Sequence, residues 1–133
     1  MENKDIRWHQ RFQNYEKVLS YLEEALRLEE PTIVQKAGII QFFEMSFELA
    51  WNLIKDYLEE QGFIDIKSPR DALKKGFEIG LISNGHGWLE LLQNRNLTSH
   101  TYDEETATVI VSSIRIQYHR LLNELYRTMK QKL

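Results

Sequence analysis

Cysteine is absent from the 133 residues of this sequence, which excludes a disulfide scaffold, a thiolate metal site and a cysteine nucleophile. No apolar run approaches the roughly 20 residues that a membrane-spanning helix requires. Met1-Glu2-Asn3-Lys4-Asp5 lacks the hydrophobic stretch of a signal peptide, so a cytoplasmic protein without membrane attachment is the expectation. Walker and dinucleotide-binding glycine patterns are missing, and Ser112-Ser113 has no nucleophile-elbow context. The rest is the composition of a folded protein. With 42% hydrophobic and 28% charged residues, disorder is ruled out. A chain of this length buries roughly 68% of its unfolded surface, and one domain spanning residues 1–133 is expected.

Charge of one sign does not dominate, since the formal net charge is −3. That balance speaks against indiscriminate coating of nucleic acid, but it is unevenly spread. Residues 1–66 hold seven Lys/Arg against thirteen Asp/Glu, and residues 67–133 hold ten against seven. The last helical stretch sets Arg115, Arg120, Arg127, Lys130 and Lys132 against the single Glu124. This asymmetry points to a polyanionic partner for one face, or simply to cations favoured at a helix C-terminus.

The hydrophobic pattern is helical almost throughout. Trp8, Phe12, Tyr15, Leu19, Leu22 and Leu26 step by 4, 3, 4, 3, 4 and form one stripe of a first helix. Glu29-Glu30-Pro31-Thr32 ends it, because Pro31 cannot continue the ladder. A second helix is predicted from about Thr32 to Gln61, with Gly62 as its stop. Phe63 to Lys67 connects to a short third helix, opened by Ser68 as N-cap and Pro69 in the first turn and closed near Gly80. Asn84-Gly85-His86-Gly87 reads as a turn before a fourth helix with Trp88, Leu91 and Leu92. A fifth starts near Thr101 to Asp103, where Thr101-x-x-Glu104 has capping-box spacing. Its stripe is Ala107, Val111, Ile114, Tyr118, Leu121, Leu125 and Met129. The fold expected is all-α, an antiparallel up-and-down four-helix bundle with an additional short helix. The second helix is apolar over most of its circumference, so it is either central in the bundle or shared with a second subunit, and a dimer through it is expected.

Several polar groups carry little. Glu44 and Glu48 lie one turn apart, but Phe47 and Trp51 stand where a di-metal bundle site needs histidine. His9 and His119 have no second histidine at ligand spacing, and no metal or cofactor is expected. The informative stretch is Asn94-Arg95-Asn96-Leu97-Thr98-Ser99-His100-Thr101-Tyr102-Asp103. On an unbroken helix Arg95 and His100 would point about 140° apart; they converge if the helix ends or kinks between Asn96 and Ser99. Guanidinium can hold phosphate oxygens in a fixed fork and imidazole can move a proton near neutral pH, which together suffice for metal-free phosphodiester cleavage. As a bare pattern Arg-x4-His is weak. The plain structural alternative is an Arg95–Asp103 ion pair beside a helix-capping histidine.

Arg95 to Tyr102 resembles the R-x4-H-x-Y motif of HEPN domains. More narrowly, the chain resembles the nucleotidyltransferase substrate-binding protein family, through Phe47-Glu48-Leu49-Ala50-Trp51, Lys55-Asp56-Tyr57-Leu58, Pro69-Arg70-Asp71-Ala72, Trp88 and the Arg95 to Asp103 stretch. The resemblance implies a homodimeric helical bundle and a separately encoded minimal nucleotidyltransferase as partner. In the related toxin–antitoxin pairs the HEPN subunit is a metal-independent RNase with Arg and His at a cleft across the dimer. The nucleotidyltransferase silences it by adenylylating the motif tyrosine. By that likeness Arg95 would bind the scissile phosphate of RNA, His100 would act as general acid/base, Tyr102 would accept the adenylyl group, and Asn96 and Ser99 would be supporting polar groups. The older family name implies an alternative, a non-catalytic substrate- or nucleotide-binding subunit that docks to the nucleotidyltransferase.

Overall fold

The structure, a computed structural model, describes the backbone of residues 2–97 and 103–133 and the side chains of residues 7–96 and 103–133. The helices are α1 (Glu2–Ala25), α2 (Ile33–Glu60), α3 (Pro69–Glu78), α4 (Gly85–Leu97), α5 (Glu104–Ser113) and α6 (His119–Lys130). A π turn, Ile114–Tyr118, joins α5 to α6, so the chain stays helical from 104 to 130. No strand occurs among the described residues. The all-helical bundle expected from the periodicity is the architecture observed, with α3 as its short member.

Local chemistry explains most boundaries. Thr32 caps α2 reciprocally: its hydroxyl accepts from Gln35 N–H at 3.2 Å, and Gln35 Oε1 accepts from Thr32 N–H at 2.9 Å. Gly62 and Gly80 sit just past α2 and α3 at φ +96° and +85°, the left-handed conformation that glycine takes without a Cβ penalty. Ser68 Oγ accepts from Asp71 N–H at 3.1 Å, with Pro69 at the first helical position.

Two boundaries differ from expectation. First, α1 ends at Ala25 rather than at Glu29-Glu30-Pro31. The carbonyls of Leu26 and Leu28 beyond it accept from the Arg115 guanidinium, the latter at 2.7 Å, and this side-chain cap lets the chain leave the helix early. Second, Gly85-His86-Gly87 is the first turn of α4 and not a separate loop. Asn84 Oδ1 accepts from Gly87 N–H at 2.9 Å, which caps the helix despite its glycines. The cap of α5 is Asp103, within the expected start, and its Oδ1 accepts from Thr106 N–H at 2.7 Å. The expected cap at Thr101 lies outside the described residues.

The predicted stripes all turn inward. Trp8, Phe12, Tyr15, Leu19 and Leu22 from α1 meet Phe43, Phe47, Ile54 and Leu58 from α2 and the Ala107-to-Met129 series in one connected core. Each fully buried Leu, Ile or Phe in it contributes roughly 1.5–3 kcal/mol. α2 is central and touches every other helix. Ile39, Ala50 and Leu53 on its flanks are buried, and Phe42, Leu49, Trp51 and Tyr57 are half-buried against the same core. Only Ile33, Val34 and Met45 are large apolar residues left exposed on it. Its wide apolar face is therefore consumed within one chain, and the width alone does not require a second subunit.

Candidate functional site

The fourth helix builds the site from its core side outward. Trp88, Leu91 and Leu92 are buried, and Arg95 comes seven residues after Trp88, on the continuation of that stripe. A guanidinium thus occupies a position that helical periodicity would give to an apolar residue. Arg95 is half-buried in the last turn of α4, where a cation also faces the open carbonyls of the helix end. Asn96, one step on, is exposed. Ser99, His100 and Tyr102 lie outside the described residues. The next described position is Asp103, and its bonds from Thr106 hold the carboxyl below the usual aspartate value.

On the residue before Arg95 the chain crosses to another helix. The Asn94 side-chain amide donates to the Tyr118 hydroxyl. Tyr118 closes the π turn, is 2% exposed, and stacks on Phe43 of α2 with ring centroids 5.7 Å apart. Burial raises its phenol above the usual value, the Asn94 bond acts in the opposite direction, and the charge of Glu90 adds to the rise. Sequence reasoning placed Tyr118 only in the core stripe. The signal that it had a polar partner was available, because a buried tyrosine hydroxyl nearly always finds one.

The basic excess of the last helix is partly structural. Arg115 is engaged with the α1 terminus as described above, and His119 Nε2 lies 3.2 Å from Glu23 Oε1. Lys130 and Lys132 sit over the Tyr126 and Tyr57 rings at 5.6 and 5.5 Å, within cation–π range. Among the described residues no group of three His, Asp or Glu side chains could hold a metal ion. No described helix is long and apolar enough to cross a membrane.

Residues 10–131 match the family described as nucleotidyltransferase substrate binding protein like. The chain belongs to that family. A probable ribonuclease HepT of Haemophilus influenzae is 35% identical over 92 residues, which are 64% of this chain and 63% of that protein. The match thus spans somewhat less than two thirds of that relative's length. A crystal structure from Thermus thermophilus superimposes with a TM-score of 0.77 at 33% identity, covering 84% of this chain and 94% of that one. A Haemophilus influenzae structure, described as revealing the fold of a substrate binding domain of a nucleotidyltransferase, gives 0.69 at 26% identity, over 92% and 96% of the two chains. For this member of the nucleotidyltransferase substrate-binding family, the matched range takes in the whole Arg95 to Asp103 stretch.

Proposed function

We propose that the chain acts as a single domain over residues 1–133 and is a HEPN-type, metal-independent endoribonuclease. It works as a homodimer and is controlled by a separately encoded minimal nucleotidyltransferase. The observation that carries this reading is a half-buried guanidinium, Arg95, at a helix end where the stripe calls for an apolar residue, five residues before His100 in a family member. A guanidinium presented at a helix end is the fork that a phosphodiester needs. Arg95 holds the phosphate oxygens of the scissile bond. The RNA 2′-oxygen attacks phosphorus, the bond to the 5′-oxygen breaks, and a cyclic phosphate end remains. His100 serves as general acid/base for the protons that leave the 2′-hydroxyl and reach the 5′-oxygen. Tyr102 accepts the adenylyl group that silences the site, and Asn96 and Ser99 assist as polar neighbours. The name of the Haemophilus relative, a probable ribonuclease, supports this reading.

A second reading has its own support. The net charge of −3 is low for a protein that tracks a phosphate backbone, and a structural relative is described as a substrate binding domain. In that case the chain docks to the nucleotidyltransferase and cleaves nothing. Incubation of the purified protein with a broad RNA panel in EDTA, before and after removal of bound nucleotide, separates the two. Cleavage leaving cyclic phosphate ends supports the nuclease; an intact panel under both conditions contradicts it.

A further inference from the structure

We infer that Asn94 and Tyr118 form a positioning pair that aims Arg95. This rests on the reading of Arg95 as the phosphate-binding group. The Tyr118 ring is fixed on two sides, by the stack on Phe43 and by its place at the end of the π turn. Its hydroxyl accepts from Asn94, which ties the last turn of α4 to the π turn between α5 and α6. Neighbouring helix residues differ in direction by about 100°, so fixing Asn94 also fixes the direction in which Arg95 leaves the helix. The π turn supplies the other half of the device. Closed by the His119 N–H to Ile114 carbonyl bond, it is a rare geometry that occurs mostly as a single turn within α-helices, frequently at functional sites. Each extra residue accommodated this way rotates the helix beyond it, and here the residue at its end carries the hydroxyl that meets Asn94.

A pair of this kind that merely held the fold would affect stability alone. A pair that aims a guanidinium affects the chemical step, where a misplacement of about 1 Å costs on the order of a hundredfold. Tyr118→Phe keeps the ring and its stack and removes only the acceptor; Asn94→Ala removes the donor from the other side and serves if Tyr118→Phe fails to fold. The measurements are RNA cleavage kinetics, thermal midpoint, and the side-chain Nε–Hε resonance of Arg95 in the intact protein. The expected result is a kcat lowered about tenfold or more in either variant, with KM within about twofold and the Arg95 resonance displaced. The double variant should fall no further than the singles. Unchanged kcat and an unmoved resonance would overturn the inference, even if the melting temperature drops. If the wild-type chain cleaves no RNA, the nuclease reading fails separately and the resonance decides: displaced, the pair positions Arg95; unmoved, it does not.

Discussion

Asp56 is 5% exposed on α2, and its Oδ2 lies 3.0 Å from Arg11 Nε on α1. Removing the guanidinium leaves a buried carboxylate without its partner, so Arg11→Met should destabilise the fold by about 1–3 kcal/mol in urea unfolding. The lower part of that range is expected, because Arg11 itself is about a third open to solvent. Arg7→Met should change stability by less than about 0.5 kcal/mol, since its ion pair with Glu59 is solvated. Equal losses from the two substitutions would contradict this ranking. Tyr15 differs from both, because its fully buried hydroxyl donates to the Leu122 carbonyl at 2.5 Å and burial raises its phenol well above the ordinary value. A group with a raised folded-state value binds its proton more tightly when folded. Its contribution is complete below about pH 10, the unfolded tyrosine value, and falls as pH rises beyond it. Tyr15→Phe should cost about 1 kcal/mol at neutral pH and flatten the loss of stability above pH 10.

At the element scale the helix ends test the local chemistry. Thr32→Ala should cost about 1 kcal/mol, because it removes the hydroxyl that accepts from Gln35 N–H in the α2 capping box and leaves only the Gln35 side-chain bond to the backbone N–H. Asp103 holds the start of α5 as a carboxylate with a lowered titration point. Its stabilising effect is present above the usual aspartate value near pH 4 and fades as pH falls. Asp103→Asn, which keeps a capping oxygen without the charge, should leave the melting temperature less sensitive to pH between about 5 and 2. The five helical segments were legible from apolar spacing, because each stripe faces one core. Thr32-x-x-Gln35 forms the observed capping box of α2, and Asp103 caps α5 within the Thr101-to-Asp103 start that the sequence predicts. The π turn left no trace in the sequence: Ile114, Tyr118 and Leu121 keep the steps of 3 and 4 that an unbroken α-helix would show. Arg95 is a candidate site residue from its neighbours in sequence. Asn94 was legible only as one amide among several, because its partner lies 24 residues away on another helix.

For the whole molecule, homodimerisation rests on the family reading and no longer on the breadth of α2. Light scattering at micromolar concentration should give twice the chain mass of 15.9 kDa, and a stable monomer without its partner would count against the dimer. With the cognate nucleotidyltransferase and labelled ATP, the wild-type chain should take up label and Tyr102→Phe should not, since only the acceptor hydroxyl is removed. Uptake by Tyr102→Phe would assign the modification elsewhere. The central claim is that Arg95 and His100 perform metal-free RNA cleavage. Its most direct measurement compares wild type, Arg95→Ala and His100→Ala on one RNA substrate in EDTA, with circular dichroism to confirm folding. The account predicts cyclic-phosphate products from the wild type and rates lower by on the order of 10²–10⁴ in each variant; cleavage that persists undiminished in both folded variants, or that appears only when a divalent metal is added, would contradict it.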